Sequence, residues 1–364
     1  MMSNKIERID TRVVSIPYDK PVKHPFLGFR TKNSVLIVEL RTTSGVTGLS
    51  FVSVESANQI AAIDQIIKGI EPALKGVDPI RREYIYERMW GLTVDILHDG
   101  ASNLALAALD IALWDILGKQ MSTPIWKILG GYRDKVPAYA AETLWRHQDA
   151  AEVASEAKRL VANGHRAMKL RTGGRPVSED VERARALRDA VGPDVTLMTD
   201  VLWGHSPQEA IRLSNGMAPY NFAWFEEPLR EGDFDGLRRV RDRTSIPLAA
   251  GERVSRLSML NDLLPVIDHA IIDLHHIGGI TPWVKAANAI GIRGLPISGH
   301  ATHEINSQLI AAVPTGGWAE YMPRRETIFK VRPELKDGML HLGDAAGIGL
   351  ELDETQIAKF AARD

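Results

Sequence analysis

The sequence predicts an α/β protein built on a parallel βα barrel with a smaller unit ahead of it, and three observations carry that prediction. The chain has 364 residues, which suits a barrel of roughly 250 residues plus one smaller partner. From Val136 onward, short apolar runs alternate with amphipathic stretches such as DAAEVASEAKRLVANGH, the texture of repeated βα units on a parallel sheet. Seven of the apolar runs stop at a charged or titratable residue, as they would where strands end at the mouth of a barrel.

The elements can be justified in chain order. SVLIVELRTTSGVTGLSFV (34–52) reads as two strands joined by a Gly-containing turn. ASNLALAALDIALWDILGK (101–119) reads as a helix with Ser102 as its cap and Gly118 near its end, and Asp110 and Asp115 interrupt its apolar surface. GGYRDKVP (130–137) marks the boundary, so domains are expected at 1–133 and 134–325, with 326–364 as a closing segment. There is no internal repeat, low-complexity tract or long linker.

Composition excludes several function classes. A formal net charge of −2 gives no electrostatic reason to expect nucleic acid or an acidic membrane as partner. With no cysteine there are no disulfides, thiol nucleophiles or thiolate metal sites. The opening MMSNKIERIDTRVV lacks a signal-like apolar core, and no apolar run approaches the roughly 20 residues of a membrane span. A soluble, cytoplasmic protein is expected.

The runs and their terminal residues are HRAMKLR with Lys169 and Arg171, VTLMTDV with Asp200, FAWFEEP with Glu226, IPLAAGE with Glu252, HAIIDLH with Asp273, LPISGH with His300, and GWAEYM with Glu320. The spacing is regular: 226 − 200 = 26 and 252 − 226 = 26, about one strand, one helix and two loops. A single acid in such a place is most often a helix cap or a solvated loop residue. Asp200, Glu226 and Glu252 on successive strands, with no sulfur or clustered histidine, instead suit a hard cation such as Mg²⁺ that keeps positions open for substrate oxygens. Glu227 points to the other side of its strand and is expected to make a structural bond. His300, with Asp273 on the preceding strand, becomes a candidate base.

Taken together, LDIALWDILGK with TPIWKILGG, the acids at 200, 226 and 252, IGGIT after Asp273, SGH at His300 and WAEY at Glu320 resemble the enolase superfamily in its mandelate racemase branch, in order and over nearly the whole chain. The resemblance implies a modified TIM barrel, (β/α)7β, under an α+β capping domain to which the last stretch returns. It also implies Mg²⁺-dependent removal of a proton α to a carboxylate. In that chemistry Lys169 adds positive charge beside the substrate carboxylate, Glu320 donates a hydrogen bond if protonated, and Asp273 orients His300. A small carboxylic acid is the expected partner, with a homo-oligomer as the expected assembly.

One position departs from the family. The second barrel strand usually carries Lys-x-Lys, and here it is Lys169-Leu170-Arg171. Residues two apart on a strand face the same side, so Arg171 should enter the barrel, where an always-charged guanidinium is a poor base and a good fork for an oxygen anion. A single base then favours dehydration of a sugar acid to a 2-keto-3-deoxy acid. The alternatives are a racemase, epimerase or cycloisomerase of a hydroxy acid, lactone or amino acid, and a non-catalytic binder of metal and carboxylate. Substrate contacts are expected from the loops at 23–33 and 51–56, with Arg30 and His24 named in the first, and from Thr143, Glu142, His205 and Trp203 near strand ends.

Overall fold

The computed structural model describes residues 4–24, 28–54 and 56–362, with the side chains of 19–24 outside that description. The chain opens with an antiparallel sheet of β1 (Ile6–His24), β2 (Gly28–Thr42) and β3 (Thr47–Val54). β2 alternates between two cores: Leu36, Val38 and Leu40 join the cluster under the helices, while Val35 and Ile37 join the larger cluster that continues into the barrel. Helix Ala57–Leu74 covers the sheet with Ile60, Ile63, Ile67, Ile70 and Leu74, the three-and-four spacing of one helical face.

The expected loop at 23–33 is a different object. Val22 pairs with Arg30, Lys23 with Phe29 and His24 with Gly28, so β1 and β2 run on as a two-stranded arm. Its tip, 25–27, and the His24 side chain lie outside the described residues. Likewise 51–54 of the second expected loop belongs to β3, and Glu55 lies outside the described residues. β-branched and aromatic residues on both arms of the hairpin outweigh the Pro and Gly that suggested an irregular loop.

Helix Ala101–Gln120 is apolar and long enough to cross a membrane, yet 89% of its most apolar window is buried as the wall between the two cores. Its cap is Gly100 and not Ser102, whose hydroxyl turns back to the carbonyls of Leu97 and Asp99. The two acids that interrupt it are its attachment points. Asp110 accepts from the Thr281 N–H at 2.8 Å and hydroxyl at 2.6 Å, and Asp115 accepts from the N–H groups of Leu49 at 2.7 Å and Ile348 at 2.8 Å. Gly279 in IGGIT, at φ +117°, is needed there, because a Cβ would sit 2.6 Å from an Asp110 oxygen.

The barrel is formed by β4 (Lys135–Ala140), β5 (Ala167–Arg171), β6 (Thr196–Asp200), β7 (Phe222–Glu226), β8 (Leu248–Ala250), β9 (His269–Asp273), β10 (Ile297–His300) and β11 (Gly316–Tyr321). Neighbours pair in parallel in that order and β11 closes on β4, with Tyr321 opposite Ala140. Beyond β11 come β12 (Phe329–Val331), β13 (Glu334–Lys336), β14 (Met339–His341) and β15 (Glu351–Leu352). This last stretch divides its contacts: β14 pairs antiparallel with β4, whereas Glu354 meets Arg12 and Ala361 bridges Val14 in the N-terminal sheet.

His269, at the start of β9, shows how closed the barrel interior is. It is 9% exposed, bonds Ser298 at 2.7 Å and lies against Trp224, and burial pushes it down to about 4 from the usual 6.5. Between those values the unfolded chain binds the extra proton, so the His269 contribution to stability is complete above about pH 6.5 and is lost as pH drops toward 4. Unfolding in denaturant should show that His269→Gln removes on the order of 3 kcal/mol of pH-dependent loss from that window, leaving the contributions of the other buried groups. The same slope in wild type and variant would contradict the assignment.

Candidate active site

The strand register brings the predicted residues to one level. Arg171 pairs with Asp200 and Asp200 with Glu226, while His300 pairs with Asp273. Glu252 lies just past the end of β8, and Lys169 and Glu320 sit two positions and one position, respectively, inside their strand ends. Lys169, Asp200, Glu226, Glu252 and Glu320 are all at most 1% exposed.

Burial of so many carboxylates requires compensation, and two cations supply part of it. Lys169 Nζ lies 2.7 Å from Glu320, 2.9 Å from Glu226 and 3.3 Å from Asp200. Burial opposes its charge, but Glu226 and Glu320 hold it well above the usual lysine range, so it is an ammonium and not a free base. Arg171 reaches Asp200 and lies 3.5 Å from Glu320. The fork expected to grip substrate therefore engages the protein's own acids.

Compensation is incomplete. Burial, with Asp200, Glu320 and Glu252 as like charges, pushes Glu226 up to about 7 against the pull of Lys169. Glu227, held by the Gly251 N–H at 2.8 Å as a structural bond, is pushed by burial and Glu252 up to about 8. Glu320 behaves otherwise than expected. Burial would raise it, but Lys169, His300 and Arg171 keep it well below the usual carboxylate range, and it accepts from the Ala301 N–H at 2.7 Å. In this arrangement it is an ionised acceptor and not a protonated donor.

Do these acids suit a divalent cation? Among the described residues no three acidic or histidine side chains are gathered closely enough to hold a metal as they stand, because Lys169 and Arg171 occupy the ground between them. The donor chemistry fits all the same. Asp200, Glu226 and Glu252 are buried oxygen donors from adjacent strands with surplus negative charge, and among the described residues the buried Glu252 Oε2 has only an ion-pair contact with His300 Nε2 and no hydrogen bond.

On the other side of the mouth stands the histidine pair. Asp273 Oδ2 accepts from His300 Nδ1 at 2.6 Å, and its Oδ1 accepts from the N–H groups of His275 and His276 at 2.7 Å. His300 Nε2 is thereby turned inward, 3.3 Å from Glu252 and 3.8 Å from Glu320. Burial would lower it, but Glu252, Glu320 and Asp273 push the imidazole up to about 10. Backbone strain collects at the same rim. Leu144, Leu202, Trp203, Glu227, Ala301 and Thr302 all have positive φ just beyond barrel strands, where a non-glycine residue accepts such a conformation only if its surroundings impose it.

The expected substrate contacts scatter. Thr143 lies past β4 with its hydroxyl buried and without a hydrogen-bond partner among the described residues. Trp203 lies past β6 under the Arg253 guanidinium, 4.5 Å from its ring centroid. His205 approaches Gly173, and Arg30 stands on the arm opposite Val22. Sequence reasoning missed Arg253 and Arg324. Arg324 lies 2.6 Å from Glu142 and donates to the Tyr18 hydroxyl at 3.3 Å, and its position three residues past β11 was the available signal.

Two family models match in tandem: Mandelate racemase / muconate lactonizing enzyme, N-terminal domain over residues 8–130, and Enolase C-terminal domain-like over residues 152–356. The chain belongs to the mandelate racemase branch of the enolase superfamily. Among its relatives in this superfamily, a 3,6-anhydro-alpha-L-galactonate cycloisomerase of Streptomyces coelicolor is 28% identical, covering 98% of this chain and 99% of that one. An L-talarate/galactarate dehydratase of Salmonella typhimurium is 29% identical over 89% of this chain and 82% of its own length. The crystal structure of that enzyme with Mg and L-lyxarohydroxamate superposes with a TM-score of 0.94 at 27% identity, covering 100% of this chain and 94% of that one.

Lys169 gives a direct test of the charge balance. Lys169→Met would leave Glu226, Glu320 and Asp200 short of a buried cation, which should cost about 3–5 kcal/mol of unfolding free energy in chelator-treated protein. Denaturant titration checks this, and a change below about 1 kcal/mol would mean that the acids are not charged together.

Proposed function

We propose that the protein is a Mg²⁺-dependent dehydratase that takes a sugar acid or related hydroxy acid to a 2-keto-3-deoxy acid. The observation that carries this reading is the asymmetry of the mouth. One side presents His300 Nε2, a titratable imidazole oriented by Asp273 and pushed up by Glu252 and Glu320, which a cation held by Glu252 would lower toward a free base; the other presents only Lys169 and Arg171, an ammonium and a guanidinium whose ordinary values already lie far above neutrality. A reaction that needs one base is supported, and one that needs a neutral base on each face of the substrate is not.

Asp200, Glu226 and Glu252 are the residues that would hold Mg²⁺, which when bound supplies positive charge against the substrate's carboxylate. Lys169 adds an ammonium at the same place. His300 Nε2 takes the α-proton, and the electrons of the broken C–H bond move toward the carboxylate to give an enediolate. Those electrons then form the Cα–Cβ double bond as the β-hydroxyl departs with its own bonding pair. That hydroxyl takes the proton back from His300 and leaves as water, and the enol left behind becomes the 2-keto acid. Asp273 keeps Nε2 facing the substrate and stabilises the imidazolium between the two transfers. Glu320, as an acceptor, fixes Lys169 and the Ala301 backbone.

Cycloisomerisation is the second reading, since a relative of nearly full length carries that name and the reaction can begin with the same proton removal. The test is a panel of acid sugars, hydroxy acids and lactones with Mg²⁺, read as keto-acid formation. Keto acid from at least one sugar acid is the expected result, and lactone opening or epimer formation without keto acid would replace dehydration. Glu226→Gln, which removes a charge and keeps the shape, should weaken Mg²⁺ by at least about tenfold in calorimetry while the melting temperature stays within a few degrees. Unchanged affinity would remove Glu226 from the set.

A further inference from the structure

The barrel's own order fixes where the rest of the substrate must go. Counted round the ring, the acids stand on the third and fourth strands, β6 and β7, and just past the fifth, β8, with His300 on the seventh and Lys169 on the second. An acid whose carboxylate lies at Asp200, Glu226 and Glu252, and whose α-carbon lies between His300 and Lys169, has its tail directed at the remaining sector, the eighth and first strands. There β11 and β4 end side by side, Tyr321 opposite Ala140. Beyond these two strand ends, the rim carries Glu142 and Thr143 on one side and Arg324 on the other, beneath Tyr18 from β1.

Glu142, Arg324 and Tyr18 form one array. Arg324 Nε lies 2.6 Å from Glu142 Oε1, and its Nη1 donates to the Tyr18 hydroxyl at 3.3 Å. Both members of the ion pair are only 16% exposed, and the hydroxyl of Thr143, next to Glu142 in the chain, is buried without a hydrogen-bond partner among the described residues. The sector is thus polar and rich in donors and acceptors, with a carboxylate already seated on its guanidinium. A hydroxyl can donate to Glu142 and accept from Arg324. A second substrate carboxylate would meet Glu142 as a like charge in a partly desolvated place, which is costly.

We propose that Glu142, Thr143 and Arg324, under Tyr18, read the far end of the substrate and select a polyhydroxy monoacid, an aldonic acid ending in a hydroxyl, against the aldaric diacid of the same chain. This rests on the dehydratase reading for the placement of the near carboxylate, and it adds the class of acid. Glu142 is the discriminating residue: its charge excludes the second carboxylate and its oxygens receive the terminal hydroxyls.

The test is binding, measured apart from turnover. In a His300→Asn background with Mg²⁺, calorimetry compares galactonate with galactarate and gluconate with glucarate. The monoacid of at least one pair should bind about tenfold or more tighter than its diacid. Adding Glu142→Gln should narrow that ratio by about tenfold, chiefly by strengthening the diacid, and Thr143→Val should weaken the monoacid by about threefold. Tighter diacid binding in both pairs, no binding of either class, or a ratio untouched by Glu142→Gln in protein of unchanged melting temperature would overturn the inference. Should Glu142→Gln fail to fold, the wild-type ratio and the Thr143→Val loss decide alone. Turnover by the unmodified protein separates the two claims. The expected binding order without keto acid from any acid defeats dehydration and leaves the selector standing, whereas keto acid formed from diacids at equal or higher kcat/KM defeats only the selector.

Discussion

A crowd of buried carboxylates that its own cations do not fully neutralise is the constraint on which this molecule is arranged. Asp200, Glu226, Glu252 and Glu320 converge because parallel strands of a closed barrel end on one side, and at that depth each uncompensated charge is expensive. Lys169 and Arg171 are the fixed part of the answer. The remaining surplus suits the mouth to the divalent cation and the reacting acid of the proposed function. The same surplus keeps Lys169 protonated and raises His300. The two sides still differ in kind: a histidine, whose ordinary value lies near neutrality, faces a lysine and an arginine, whose ordinary values do not.

The strained exits of the barrel strands and the attachment of the N-terminal unit serve that arrangement. Asp273 uses one oxygen to anchor the turn at His275 and His276 and the other to orient His300, so the imidazole is fixed through the backbone that follows Asp273. His275 in turn bonds the Phe51 carbonyl at 2.8 Å, and Asp110 and Asp115 carry the helix Ala101–Gln120 onto the barrel and the closing segment. An acid in the middle of an apolar helix, with hydrogen bonds supplied by segments remote in the chain, is a device for fixing relative position.

Much of this was legible in the sequence because strand ends leave a mark. An apolar run that stops at Asp200, Glu226 or His300 states both the element and the direction of its last side chain, and the repeated spacing states that the runs belong to one sheet. What pairs with what was not legible. Arg171 reads as a free fork until its neighbours Asp200 and Glu320 are seen, and Glu320 reads as a protonated donor until Lys169 is found at 2.7 Å. Ser102 looked like a cap because it precedes a helical pattern, but the chain enters the helix earlier, through Gly100. The arm formed by β1 and β2 was hidden by Pro and Gly at its turn, and Arg324 was hidden because its partners, Glu142 and Tyr18, are remote in the chain.

The central claim is that a single histidine performs the proton transfer and that the opposite side is cationic. Nuclear magnetic resonance of a substrate acid and its α-epimer, each incubated with protein and Mg²⁺ in D₂O, tests it most directly. The account predicts that only one epimer loses its α-proton, that the other neither exchanges nor appears, and that His300→Asn abolishes exchange while Mg²⁺ still binds. Exchange in both epimers with interconversion, or exchange that persists in His300→Asn, would contradict it.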